Sequence, residues 1–320
     1  MKTLIAVLFA SIYGLFMRLL FVPLNEVMSI TFIGLLPMII GYLTVVLMPR
    51  ERIHSRTSAF FTPWLTCSAI LVITLLLDIE GAICWIMIFP VFAIFAGLGG
   101  IIAFKRKKES NHKIDNDDDI LDGPNTFRAS ILVLLPLFLG FIEGEKTQKR
   151  IDFKISHEII ISAPVSKVWQ SLLNIHTIEH HETNMSFSSL IGFPNHLETR
   201  LDTLKIGGKR VATYEKGLIF EEIITKYEPE KLLVLDINTD PTKIPPTVMD
   251  EHIVIGGKHL DILEDVYTLQ VLPDGKTRLT LSSHFFINTP FNWYSGIWAK
   301  YMMRDILENE LNIIQKRALN

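Results

Sequence analysis

Cysteine is nearly absent from this chain: Cys67 and Cys84 are the only two in 320 residues, and both sit inside apolar runs. The polar half therefore has no disulfide framework and no cysteine-based zinc site. A basic excess is missing too. Against 34 Asp and Glu stand 31 Lys and Arg, a formal net charge of −3, which excludes the charge signature of a nucleic-acid binder. No small-residue cleavage pattern precedes Pro23, so the first apolar run reads as an uncleaved span rather than a signal peptide. No acidic residue falls in the middle of an apolar run, which leaves ion or proton transport without support. No internal repeat and no cofactor-binding motif is evident, and no cofactor is expected.

What the chain does have is an uneven distribution of apolar residues. Mean hydropathy is +0.32, and the excess lies in the first half. About 20 apolar residues are needed to span a hydrocarbon core. Leu4–Val22, Ser29–Met48, Phe61–Leu77 and Ala82–Phe104 meet that length or approach it. Arg50, Arg52 and Arg56 follow the second run, and Lys105, Arg106, Lys107, Lys108 and Lys113 follow the fourth. The loops Pro23–Met28 and Asp78–Gly81 carry no Lys or Arg. The positive-inside rule then puts the amino terminus and both basic loops in the cytoplasm of an integral multi-pass membrane protein. A fifth run, Ala129–Ile142, is short for a span. If it crosses, the rest of the chain is extracytoplasmic, which is the favoured expectation; if it is re-entrant, the rest is cytoplasmic. Residues 1–149 thus read as a membrane domain with four to five transmembrane helices, and residues 150–320 as one soluble domain.

The soluble part begins with a short β-branched run, His157–Ser162, followed by an amphipathic helix at Val165–Leu173 and a second short helical stretch near Ile175–His181. Six strand-like runs come next, at Leu197–Ile206, Arg210–Lys216, Leu218–Tyr227, Leu232–Thr239, Leu260–Leu272 and Thr277–Asn288, separated by Gly, Pro and Asp turn signals. A long helix, Phe291–Leu319, closes the chain. Its later turns sort into a polar and an apolar face, but Tyr294, Ile297, Trp298 and Tyr301 put bulky groups on the arc that becomes polar. A meander closed by a long helix is an α+β plan, with the sheet curving around the helix and an apolar space expected between them.

Three stretches carry a resemblance: HEIIISAPVSKVWQSL, the GGKR turn with EEIITKYEPEKLL, and LPDGKTRLTLSSHF leading into the last helix. Over roughly residues 155–318 the chain resembles the START-like, or SRPBCC, superfamily of helix-grip folds. Members of that superfamily include lipid carriers, plant-hormone and allergen proteins, and polyketide cyclases or dehydratases. The resemblance implies a curved antiparallel sheet gripping a carboxy-terminal helix, with a hydrophobic or amphipathic, lipid-like small molecule in the pocket between them. It leaves open a cyclase/dehydratase-type enzyme using the same pocket, or a membrane scaffold that binds a protein partner. Fold alone does not decide among these.

The pocket-lining candidates are Trp169, Tyr214, Met249, Trp298, Met302 and Glu310, the last interrupting the apolar arc of the final helix together with Arg317. His284, alternating with Leu281 and Ser283, is the weak catalytic candidate, as a general base if it faces the pocket. His176 and His180 have the i, i+4 spacing of a zinc pair, but the HExxH order is absent, so no metal site is expected there. The proline-rich connection Asp240–Lys258 is long for a loop between strands and reads as a lid over the aromatic opening turns of the last helix.

Overall fold

The computed structural model describes residues 2–21, 29–77, 79–114, 125–143, 149–179, 182, 186–244, 248–249 and 254–320. The chain divides into two compact units.

The first unit is helical: α1 (Lys2–Phe21), α2 (Leu36–Leu47, entered through a π-helical turn at Thr31–Leu35), α3 (Arg56–Leu76), α4 (Ala82–Ile114) and α5 (Asn125–Glu143). Among the described residues, three helical stretches, Thr3–Phe21, Arg56–Leu76 and Ala82–Lys108, are long and apolar enough to cross a membrane; Thr31–Leu47 is a shorter apolar helix. Charge closes both ends of that shorter helix. The Glu143 carboxylate accepts from the Ile30 and Thr31 amides at 2.6 and 2.9 Å, and from the Thr31 hydroxyl at 2.7 Å. At the other end, Lys107 Nζ donates to the carbonyls of Val45, Val46 and Met48. An anion at the amino end and a cation at the carboxyl end match the helix dipole and satisfy orphan backbone groups. Glycines set the spacing of α2 and α4: a Cβ at Gly41 or Gly99 would collide with the carbonyl of Ala96 or Met38, the small-residue contact by which apolar helices pack.

The second unit holds a seven-stranded antiparallel sheet in the order β1-β7-β6-β5-β4-β3-β2. Its elements are β1 (Lys149–Ile161), α6 (Val165–Leu173), α7 (Phe187–Leu190), β2 (His196–Leu201), β3 (Lys209–Tyr214), β4 (Ile219–Glu228), β5 (Leu232–Asn238), β6 (Leu260–Val271), β7 (Thr277–Thr289) and α8 (Asn292–Leu319). Apart from the α6–α7 crossover after β1, each strand pairs with its successor, the meander anticipated from the turn signals. Two local expectations change. β1 begins eight residues before the expected start at His157, because Phe153, Ile155, Ile159 and Ile161 continue one inward-facing row while charged residues take the other face. The second short helix is not at residues 175–179: Ile175 and Ile178 hydrogen-bond along β2 instead and cover its edge, and the helix falls at Phe187–Leu190.

The inward faces of β1, β6 and β7 supply Ile161, Leu269, Leu279, Leu281, Phe285 and Ile287 to a core completed by Val168, Trp169 and Leu172 of α6 and by Met303, Leu307, Leu311 and Ile314 of α8. β7 shows the required period of two, buried at every odd position from Thr277 to Thr289. The long helix therefore lies directly on the β1/β7 side of the sheet. Over β2, β3 and β4 the inner face mixes His196, Arg210 and Glu222 with Ala212, Phe220 and Ile224.

Candidate functional site

Strand alternation puts Arg210, Ala212 and Tyr214 of β3 on the face that meets α8, and likewise Phe220, Glu222 and Ile224 of β4. Arg210 and Glu222 are register partners. The turn before β3 fixes where that strand begins: Gly207 has φ +83, a left-handed conformation that suits glycine, and its amide donates to the Ile224 carbonyl. Arg210 follows three residues later, only 1% exposed.

A bulge in β2 brings a histidine to the same place. The register shifts between His196 and Glu198, so His196 and Thr199, three residues apart, both turn inward. In a regular strand residues three apart face opposite ways. His196 Nε2 then lies 2.7 Å from Thr199 Oγ1, and Nδ1 lies 2.8 Å from Glu310 Oε2 on α8. Tyr214 stacks on the imidazole with ring centroids 4.8 Å apart, and Phe220 meets Tyr214 edge-on.

Arg210 sits between two carboxylates. Its Nε is 3.3 Å from Glu222 Oε2, and Nη2 is 3.7 Å from Glu310 Oε1. The guanidinium lies 5.3 Å from the Tyr267 ring centre. These are Coulombic contacts rather than aligned hydrogen bonds. Arg210 Nε and Nη1, Glu222 Oε2 and Asn309 Oδ1 are sealed from solvent without a hydrogen-bond partner from the protein. Burial would lower the Arg210 pKa, but Glu222, Tyr267 and Glu310 together outweigh it and raise it. For Glu222 burial wins over the Arg210 charge and its pKa rises. For Glu310 burial pushes up, while His196 and Arg210 prevail and leave it below the usual carboxylate value. One β6 residue adds to the set. Asp265, opposite Ser283 in the ladder, is pushed up to about 7, mainly by burial.

Beside this network is a cavity of roughly 20 Å³, space for about one water. Among its lining groups are Ser186, Ser188, Asn195, His196, Tyr214, Asn309 and Glu310. An apolar space was expected here; the cavity between sheet and helix is lined by polar and apolar groups alike, because the β2–β4 side carries charge where the β1/β7 side carries Leu, Ile and Phe.

Of the sequence candidates, Tyr214 and Glu310 meet at this cavity. Trp169 is a core residue of α6, and Met302 is half-buried on α8 outside the apolar cluster. Trp298 is half-buried against Phe187, rings stacked at 6.4 Å, and Phe187 also meets Tyr301 edge-on at 5.1 Å. Among the described residues, the ring that covers these aromatics is Phe187 of α7. Met249 is half-buried in the Asp240–Lys258 connection, of which residues 245–247 and 250–253 lie outside the described residues. His284 points away from the cavity: it is on the opposite face of β7, about 39% exposed at its side chain, with Nε2 3.5 Å from Asp152 Oδ1. The alternation that places Leu281 and Phe285 inward necessarily turns His284 outward. His176 is exposed, and His180 lies outside the described residues. Among the described residues no group of three or more His, Cys, Asp or Glu could hold a metal ion. Arg317, the other interruption of the apolar arc of α8, is held in place. It grips Glu182 through two hydrogen bonds of 2.8 and 2.9 Å and donates to the Thr177 carbonyl, tying the α6–α7 connection to the last turns of α8.

Sequence reasoning missed Arg210, Glu222, His196, Thr199 and Asp265. Period-two counting could have found the first two, since each occupies the apolar phase of its strand. The His196–Thr199 pair needed knowledge of the bulge.

No family model and no curated protein sequence matches the chain. Solved structures are similar over about half of the chain. A structural-genomics protein from Nitrosomonas europaea is 15% identical, with 51% of this chain and 92% of that one covered, at a TM-score of 0.32. Truncated norcoclaurine synthase from Thalictrum flavum is 12% identical, covering 54% and 96%, at 0.33. The ZhuI aromatase/cyclase from Streptomyces is 13% identical, covering 53% and 94%, also at 0.33. Likeness at this level transfers neither activity nor ligand. On its own sheet order and closing helix, the second unit is an α+β domain of helix-grip architecture, a seven-stranded antiparallel sheet closed by a long carboxy-terminal helix.

Proposed function

We propose that this chain is a membrane-anchored binding module whose helix-grip domain holds an amphipathic small molecule between β2–β4 and α8. One observation carries the reading. Arg210, Glu222, His196 and Glu310 are buried together beside a cavity, and several of their polar atoms have no hydrogen-bond partner from the protein. Burying charge costs several kcal/mol per ion even after relaxation, and an apolar replacement of similar volume is often more stable. Such clusters concentrate at functional sites. A guest with a hydroxyl, amide or carboxyl group would satisfy donors on Arg210 and acceptors on Glu222 and Asn309. The apolar part of the guest would lie along the aromatic wall of Phe193, Tyr214 and Phe220. A guest larger than water requires the segment around α7 to move, since Ser186, Ser188 and Ser189 form the rim.

Anchoring is supported by three helices of spanning length and by the shorter apolar helices that accompany them. On the side of the membrane, the proposal keeps the crossing of α5 and hence an extracytoplasmic domain.

A second reading, an acid–base enzyme of the cyclase or dehydratase kind, has one observation in its favour: the Asp265 carboxyl, at about 7, can hold or release a proton near neutrality. His196 is poorly placed for that work, because both its ring nitrogens already have partners.

The test is to purify the full chain in detergent, extract it, and identify bound small molecules by mass spectrometry, alongside Ser188→Trp, which fills the rim of the cavity. A stoichiometric amphipathic compound in the wild type that is lost from the folded variant supports binding. Equal recovery from both proteins, or nothing above the detergent blank in either, refutes it.

A further inference from the structure

The opening turns of α8 carry a surface the cavity does not use. Trp293, Ile297 and Tyr301 are 75%, 60% and 52% exposed, and their i, i+4, i+8 spacing makes one stripe along the helix. Lys300 and Arg304, both exposed, fall on the same face. Of the nearby acids, Glu308 is exposed one turn beyond Arg304, and two others are engaged elsewhere. Asp305 accepts from the Phe187 and Ser188 amides at the start of α7, and Asp152 pairs with Arg150 at 2.7 Å.

The location of this stripe narrows what can cover it. Asn292 pins the first turn of α8 to the beginning of the domain: its Oδ1 accepts from the Thr289 amide at 2.8 Å, and its Nδ2 donates to the Lys149 carbonyl. Lys149 is also the register partner of Thr289. In sequence, Lys149 stands six residues after Glu143, the end of apolar helix α5. Six residues reach no farther than about 20 Å. The aromatic stripe is therefore held at the end of the domain where the chain emerges from its apolar helices.

We infer that the Trp293–Ile297–Tyr301 stripe docks on a lipid surface, with Lys300 and Arg304 facing anionic headgroups. Trp and Tyr favour the interface because their rings are apolar and their polar atoms stay wet. Lys and Arg on the same face extend past the apolar groups to the phosphates. The inference rests on the anchored reading above. It adds that the domain lies against the bilayer rather than swinging free on its connection, which keeps the cavity close to any membrane-derived guest.

The experiment uses the full chain in nanodiscs of neutral and anionic lipid, in a Cys67→Ala/Cys84→Ala background. An environment-sensitive fluorophore is placed at Ile297→Cys, at Leu65→Cys on the exposed face of apolar helix α3, and at Asp274→Cys in the β6–β7 turn. That turn is at the far end of the β1/β7 pair from Lys149. Docking predicts strong quenching by spin-labelled lipid at 297, with a shallow profile, and little at 274. Adding Lys300→Glu/Arg304→Glu should weaken the contact on anionic nanodiscs by about an order of magnitude. Quenching at 65 but not at 297 overturns docking and leaves anchoring intact; no quenching at 65 overturns both. A 297–297 disulfide in the unlabelled variant, with no lipid quenching in the labelled one, assigns the stripe to a second copy and also overturns the inference.

Discussion

Replacing Arg210 by Met tests the energetics of the buried network most directly. The side chain is 1% exposed and faces Glu222 and Glu310 at 3.3 and 3.7 Å. Met keeps much of the volume and removes the charge, so two interior carboxyls lose their cation. Breaking a buried pair by removing one partner costs about 3–5 kcal/mol. For a domain of this size each kcal/mol lowers the melting point by about 2–4 °C, so the expected drop is about 10 °C. The assay is thermal unfolding of the full chain in detergent followed by near-UV circular dichroism, with His284→Ala as a surface control expected to stay within about 0.5 kcal/mol of wild type. The loss should also depend on pH. Burial already holds Glu222 above its ordinary value, and without Arg210 it rises further. A carboxyl whose folded pKa exceeds its unfolded one contributes stability below the unfolded pKa, and that stability is lost as pH rises through the folded value. The deficit should therefore be smaller at pH 5 than at pH 8. Arg210→Met/Glu222→Leu should recover most of the loss, because an apolar pair replaces an orphaned charge. A single-variant drop under about 2 °C, or a double variant less stable than the single, would refute the claim that these charges hold one another in place.

Two further expectations come from single residues. Asp265, at about 7 in the folded domain, destabilises it progressively from about pH 4 upward, so Asp265→Asn should raise the melting point at pH 8 and leave it nearly unchanged at pH 4; an equal gain at both values would show that Asp265 does not titrate as described. A green fluorescent reporter fused after Asn320 should be dark if α5 crosses the bilayer and the domain lies outside the cytoplasm, whereas bright cells would move the domain inside.

The sequence was most legible where a single period governs. The inward row of β7, with Leu279, Leu281, Phe285 and Ile287, follows from alternation, and the same alternation explains why His284 could not serve the cavity. The start of the closing helix is readable to within a residue, because Pro290 ends the preceding strand and residues 291–319 contain no proline. Glu310 stood out as a carboxylate on an apolar arc, and its partners supply the reason. Those partners were hidden because they depend on non-local geometry. His196 reaches Glu310 across 114 residues of sequence, and only after a bulge has turned it. The charge-rich start of β1 concealed a strand, since its inward row is apolar only at every second residue. The mixed character of the cavity was likewise out of reach of composition, which could say only that the domain had enough apolar residues to enclose something.

The irregularity in β2 has a consequence at the genetic level. His196 and Thr199, three residues apart, share a face only because the bulge absorbs one of the residues between them. A chain with Leu197 deleted would set them two apart, which a regular strand also turns to one side, so the bridge from Thr199 through His196 to Glu310 can outlive the bulge. A substitution that straightened β2 without shortening it would instead turn one of the two away, leaving every bridging group in the gene and the bridge unmade.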